Sequence, residues 1–574
     1  MRIQPLVALS VLAAAGLAGC GSGDINLSPS TSVNNSNNTE NNGGNGGGTT
    51  NPCASYVNTA GQTIQGTYDG TNCNYSRAFA DAGNNLTVDM TIPALPNSGA
   101  HIFQGSLFVG ESYNSNAELQ AAGIVEGGDG PVLTIEAGAT VAFASTAQFM
   151  TINRGSQIFA VGTADAPITL TSLSDVSNTL PDPLAVQQWG GLIIDGFGVT
   201  NKCAYTGAIT YNADGTVASD TLALAAECHV ESEGSAGLDE NHYGGDNNDD
   251  SSGRLEYVVV KHTGATVGNG DEINGITFGA VGRNTIVRNV QVYSVYDDGL
   301  EFFGGAVNVE NYVGMYVRDD SLDFDEGYIG TIRNALIVQQ ETDGANCIES
   351  DGIGSYDDLD AAEVDAVIAQ GINSRPTIDH MTCIFSANAN SDTEGTHDPG
   401  AGVRFREGIF PTLSNSLIVS TFKAVDATSG SDNYCLRIDN RSQQGAVEGN
   451  VRLNSVIFAC AERTNSPDAW AFDGVTTTES FAASQGSVFA TIGAAAVDPT
   501  AMANPELQLL EGTVPVYSIA WNASQVDGAA PAATTQPTDT SGYLGALSMG
   551  TDDWTAGWTY GLHDGSRDIP LWFE

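Results

Sequence analysis

The chain has 574 residues, with 68 Asp and Glu against 19 Lys and Arg and a formal net charge of −49. That excess excludes nucleic acid, other polyanions and anionic lipid as partners, since each would be repelled, and leaves cations open. With hydrophobic residues at 41 % and 68 glycines, the composition suits a large folded body rich in turns.

The first nineteen residues carry Arg2, an apolar run from Leu6 to Leu17 and small residues up to Cys20, so residues 1–19 read as a signal peptide. The run is too short to cross a bilayer. Leu17-Ala18-Gly19-Cys20 resembles the bacterial lipobox, which implies cleavage before Cys20 and attachment of palmitate-type acyl chains. Gly21 rather than aspartate after the cysteine implies release to the outer membrane, where two or more chains anchor stably. Residues 20–52 are almost entirely Gly, Ser, Asn and Thr, a composition that cannot bury enough apolar surface to order itself. They are expected to form a tether about 30 Å long.

Setting Cys20 aside leaves eight of the nine cysteines, an even number suited to disulfides in an exported chain. Proximity in sequence pairs Cys53 with Cys73, Cys203 with Cys228, Cys347 with Cys383 and Cys435 with Cys460. A coil of about 25 residues would set Cys435 and Cys460 one above the other at strand spacing.

From residue 130 the chain shows short apolar and β-branched runs punctuated by Gly and Asn, with no long helical periodicity. Val132-Leu-Thr-Ile-Glu-Ala-Gly138 is echoed by Phe149-Met-Thr-Ile-Asn-Arg-Gly155. Farther on, Asp297-Asp298-Gly-Leu-Glu301 is followed by Asp319-Asp320-Ser-Leu-Asp323-Phe-Asp325-Glu326, and then by Cys347-Ile-Glu349-Ser-Asp351. Between these copies run strand pairs with a stacking asparagine at Asn289, Asn311 and Asn334. Repeats at this period predict an all-β, right-handed parallel β-helix over 130–465, because stacked coils bury what one coil cannot. An antiparallel sandwich would instead show hairpin turns between neighbouring strands. The span has room for roughly 14 coils at ~4.8 Å each. Loop insertions are expected at 196–252 and 353–375, the latter with a short helix, and caps at 53–129 and 466–574.

Trp189-Gly-Gly-Leu-Ile-Ile-Asp-Gly196, Asn274-Gly-Ile-Thr-Phe-Gly-Ala-Val-Gly282, Asp297-Asp-Gly-Leu-Glu-Phe-Phe-Gly-Gly305, Tyr543-Leu-Gly-Ala-Leu and Trp554-Thr-Ala-Gly-Trp558 look like a group of bacterial outer-membrane lipoproteins. The resemblance covers most of 130–574. It implies a pectin-lyase-like fold and a surface location, with a spirochaete surface lipoprotein as a relative. The family has no agreed activity and supplies no catalytic residues.

The repeat stacks Glu301, Asp323 and Glu349 on one face, with Asp297, Asp298, Asp319, Asp320, Asp325, Glu326 and Asp351 nearby. Like charges one rung apart repel by roughly 3 to 4 kcal/mol at an effective dielectric near 20. Calcium, which takes carboxylate and carbonyl oxygens, is the expected counter-ion; otherwise the side chains splay into water or cap corner amides. Asp246, Asn248 and Asp250 mimic the start of a calcium loop, but Ser251 and Tyr257 stand where that loop requires Gly and Glu. For catalysis on an acidic glycan, Arg404, Arg406, Arg437 and His397 could serve a lyase, and Asp297 with Asp319 or Asp320 a hydrolase. The Gly-His-Gly and Arg-Ile-Lys signatures of a polygalacturonase-like enzyme are missing, and the seven scattered His give no zinc pattern. Arg404 and Arg406 alternate with Val403 and Phe405, so both are expected on one strand face, paired with ladder acids. The sequence therefore favours a lipid-anchored, calcium-stabilised binding or structural module with a glycan or outer-membrane protein partner, and a polysaccharide lyase or glycoside hydrolase second.

Overall fold

A computed structural model describes residues 51–233, 241–266, 272–385, 400–420, 434–460, 462–489, 543–547 and 553–572, with the backbone of strands at 508–509 and 517–520. The signal segment, Cys20, nearly all of the tether and His397 lie outside these residues. Among the described residues no helix is long and apolar enough to cross a membrane.

Two sheets carry the fold, both built of parallel strands except that Thr67–Tyr68 runs antiparallel to Cys73–Tyr75 in the larger. The ten-stranded sheet takes one short strand per rung in chain order, from Leu107–Val109 and Met150–Ile152 through Leu192–Asp195, Ile276–Gly279, Leu300–Phe303, Leu322–Asp325, Asn346–Ser350, Ala401–Phe405 and Tyr434–Ile438 to Glu462–Thr464. Ten strands replace the roughly 14 coils expected, because the two insertions consume chain without adding rungs. The second sheet has eighteen strands. Its middle is built from the long strands Gly253–Lys261, Ile286–Val295, Asn308–Val317, Thr331–Val338 and Thr377–Ile384, stacked in parallel register.

Each long strand bends at a residue of positive φ in matching register: Tyr257 (52°), Asn289 (52°), Asn311 (61°), Asn334 (56°) and His380 (60°); Ser294 (53°) and Tyr316 (57°) add a second near the ends of two of them. Side chains rarely adopt that conformation, and asparagine tolerates it best because its short amide bonds locally. Here the amides bond along the stack. Asn311 Nδ2 donates to Asn289 Oδ1 at 2.9 Å and Asn334 Nδ2 to Asn311 Oδ1 at 2.8 Å, as the repeat predicts.

Alternation along the short strands sends every second side chain inward. Phe278, Phe302 and Phe324 stack there with centroids 5.1 and 5.5 Å apart. Each buried ring contributes about 1.5–3 kcal/mol. Two interior tyrosines satisfy their hydroxyls on backbone carbonyls, Tyr312 on Ser321 at 2.9 Å and Tyr328 on Val307 at 2.7 Å.

All four disulfides join the cysteines paired by proximity. One geometric expectation fails. Tyr434 and Leu436 oppose Glu462 and Thr464, so Cys460 does not sit above Cys435 in a common strand. Cys460 follows Ile457–Ala459 in the larger sheet, and the bond links the two sheets, as Cys347–Cys383 also does.

The end regions also differ from the simple caps expected. Parallel stacking begins inside 53–129, where Cys73–Tyr75 pairs with Ala100–Phe103 and Met90–Ile92 with Val132–Ile135. It continues past 465, where Val488–Phe489 pairs with Ile457–Ala459. The segment 553–572 lies along the outer face of the larger sheet: Trp558, Leu562 and Leu571 pack with Val259, Met315 and Val338. Gln291 clamps it by exchanging two 2.7 Å hydrogen bonds with the Tyr560 backbone. The insertion at 353–375 carries the expected helix, Ala361–Gln370, opened by a capping box from Asp360 and Glu363 and closed by Gly371 in the left-handed region at φ 73°.

Candidate functional site

With Leu300 and Phe302 turned into the core, Glu301 must face outward. Register then builds a column of outward side chains: Thr277, Glu301, Asp323 and Glu349. Ile348 opposes Val403, which sets Glu349 beside Arg404, and Arg404 opposes Arg437. A parallel column brings Phe303 to Asp325 and Asp351 to Arg406. The predicted ladder of Glu301, Asp323 and Glu349 is therefore one continuous file.

The corner before each strand holds a third file. Asn274 Oδ1 accepts from the Asp298 amide at 3.1 Å, Asp298 Oδ1 from Asp320 at 2.9 Å, and Asp320 Oδ1 from Asn346 at 2.5 Å. Asp298 and Asp320 thus cap corner amides with one oxygen each, and are 6 % and 4 % exposed.

Cations neutralise only one end. Arg404 Nη1 lies 2.6 Å from Glu349, Arg406 Nη2 lies 2.8 Å from Glu349, and Arg406 also grips Asp351 through two donors. Arg437 pairs with Asp439 instead. Glu326 is held by Thr200 at 2.8 Å, Tyr243 at 2.7 Å and Lys202 at 3.7 Å. Among the described residues no ion pair involves Asp297, Asp298, Glu301, Asp320, Asp323 or Asp325.

One oxygen each from Asp297, Asp298 and Asp319 lies within 4.8 Å of the others, and the same holds for Asp298, Glu301 and Asp323. Asp298 belongs to both groups. Two oxygens bound to one calcium at about 2.3–2.6 Å stand at most about 5 Å apart, so both groups fit a hard cation. Asp323 Oδ1 is buried without a hydrogen-bond partner, which leaves a lone pair for such an ion. Burial, and then neighbouring carboxylates, hold Asp297, Asp298, Glu301, Asp320, Asp323 and Asp325 well above the ordinary carboxylate range. For Asp297 and Glu301 the foremost neighbour is Glu233, which comes from the 196–252 insertion and belongs to no repeat.

That insertion forms a flap. Its hairpin of Val230–Glu231 and His242–Tyr243 covers the outer side of the ten-stranded sheet, and Cys203–Cys228 closes it. The acidic run inside it is no calcium loop. Asp246 accepts from Leu224 N at 3.1 Å, Asn248 from Val199 N at 3.0 Å and Asp250 from Gly127 N at 2.7 Å, so these oxygens hold backbone donors.

Of the candidate catalytic residues, Arg404, Arg406 and Arg437 are ion-paired with acids, and His397 lies outside the described residues. Burial alone would lower the Arg404 and Arg406 pKa, but Glu349 and, for Arg406, Asp351 outweigh it and raise both. A general base requires the opposite shift, toward the working pH.

The family model described as pectate-lyase like beta helix domain matches residues 109–502. No curated protein and no solved structure matches the chain.

Proposed function

From the premise that this chain belongs to the pectate-lyase-like β-helix domain family, we propose that it is a lipid-anchored outer-membrane module, a closed right-handed solenoid stabilised by calcium at its acidic file and without catalytic activity. The family is compatible with a carbohydrate-related role. One observation carries the calcium reading: two groups of carboxylate oxygens within 4.8 Å share Asp298, on a buried stretch where Asp298, Glu301 and Asp323 enter no ion pair among the described residues. Bound calcium would supply the missing positive charge to Asp297, Asp298, Glu301, Asp319 and Asp323, and to Glu349 at the boundary with the arginines. The partner is a glycan or another outer-membrane protein. The lipobox at Cys20 supports the anchor.

Calorimetric calcium titration of residues 51–574, beside an assay of a polyuronate panel for unsaturated or reducing ends, tests this reading. Uptake without product is expected, and absence of uptake refutes it. The second reading, a polysaccharide lyase, draws on Arg404 and Arg406 standing beside Glu349 and Asp351; calcium-dependent product formation would establish it. Palmitate labelling of the full-length chain, lost in Cys20→Ala, tests the anchor.

A further inference from the structure

We infer that the flap formed by residues 196–233 and 241–252 is held on the ten-stranded sheet by a pH-sensitive latch centred on Asp195, closed in acid and loosened at neutral pH. Asp195 ends the strand Leu192–Asp195, is 0 % exposed, and lies at the interface between that sheet and the flap. Its Oδ1 accepts a 2.6 Å hydrogen bond from Ser232 of the flap, while its Oδ2 is buried with no partner.

The groups facing it come from every neighbouring element. Arg154, on the preceding rung, is the nearby cation, yet its Nε and the Asp195 Oδ2 are both buried without a hydrogen-bond partner. Its guanidinium donates instead to the carbonyls of Cys228 at 2.9 Å, Gly244 at 2.6 Å and Tyr113 at 2.9 Å, and bonds His229 Nδ1 at 2.7 Å. Tyr243 faces Asp195 from the flap and donates to Glu326 at 2.7 Å. On the following rung stands Gly279, where a Cβ would fall 2.8 Å from Asp195 Oδ1 and 2.8 Å from the Tyr243 ring. A side chain at 279 would therefore push the flap away.

A buried carboxylate with one donor and an orphaned oxygen is costly when ionised, and an open flap returns it to water. Burial pushes the Asp195 carboxyl up to about 7 from an ordinary 3.8, against the lowering pull of Ser232 and Arg154. The closed state therefore binds the proton more tightly than the open one. By linkage, closure is strongest below the open-state pKa and weakens as pH rises to the closed-state value, above which it levels off.

Hydrogen exchange of flap peptides spanning 228–233 and 241–245 in the full mature chain, corrected for intrinsic rates, tests the latch. Between pH 5 and pH 7.5 the wild-type opening constant should rise about a hundredfold. Asp195→Asn should remove the larger part of the rise, what remains coming from Glu233 and the acidic file, and Ser232→Ala, which removes the one donor to the carboxylate, should move its midpoint to higher pH. The Asp195→Asn difference isolates this carboxyl from the acidic file, so the latch stands or falls independently of calcium binding. An equal rise in Asp195→Asn overturns the inference; should that variant fail to fold, an unshifted midpoint in Ser232→Ala overturns it.

Discussion

A file of charged side chains on the larger sheet and the file of Glu301, Asp323 and Glu349 on the ten-stranded sheet are built on opposite rules. On the larger sheet Glu256, Arg288, Glu310, Arg333 and Asp379 oppose one another rung by rung, so that sign alternates at every step. Arg288 bonds Glu256 at 2.6 Å and Arg333 reaches Asp379 at 3.3 Å. On the ten-stranded sheet Glu301, Asp323 and Glu349 repeat one sign, and an arginine arrives only beside Glu349. The chain thus neutralises one file with its own arginines and supplies the other with arginines only beside Glu349. Glu256 and Glu301 are buried alike, at 7 % and 8 % exposure, so the contrast lies in compensation rather than burial, and burial multiplies what an uncompensated charge costs.

The largest effect that would sharpen this contrast is chelation. Removing calcium from the folded chain should lower its melting temperature by about 5 °C, the scale expected when a ligand near a hundred times its Kd is withdrawn; differential scanning calorimetry with and without EDTA reads it. The next is the pH profile of the chelated protein. The file's carboxyl pKa values are raised on folding, so the stability they contribute is complete below their unfolded values near 4 and is lost as pH rises through the folded ones. The chelated melting temperature should therefore fall from pH 4 upward, and the calcium-loaded profile should stay flatter; parallel profiles would break the account. Asp323→Asn should raise the melting temperature of the chelated form by about 1 to 2 °C, since it relieves repulsion, while shrinking the calcium-induced shift. The smallest effect belongs to the other file: Arg288→Ala should cost about 0.5 to 1 kcal/mol by denaturant unfolding, with calcium response unchanged.

Much of this arrangement is legible in the residues because a repeat projects register directly. Matching Asp297-Asp298-Gly-Leu-Glu301 to Asp319-Asp320-Ser-Leu-Asp323 places Glu301 opposite Asp323, and the spacing of Asn289, Asn311 and Asn334 gives the bend stack. What escapes a repeat escapes the reading. Glu233 reaches Glu301, and Ser232 reaches Asp195, through an insertion whose path has no period, and Cys460 joins Cys435 across two sheets because the rungs there do not keep one length. The capping role of Asp298 and Asp320 is set by the direction of a corner amide, which side-chain identity alone does not specify. The alternating file was hidden for a simpler reason: its members sit among apolar strand residues and form no acidic cluster.

The most direct test is calcium titration of the wild type and of Asp298→Asn side by side by calorimetry, because Asp298 is the carboxylate common to both oxygen groups. Stoichiometric uptake by the wild type, weakened at least about tenfold in Asp298→Asn, is the predicted result. Equal affinity in the two proteins, or no uptake by either, would contradict the account and leave Asp298 and Asp320 as caps of corner amides.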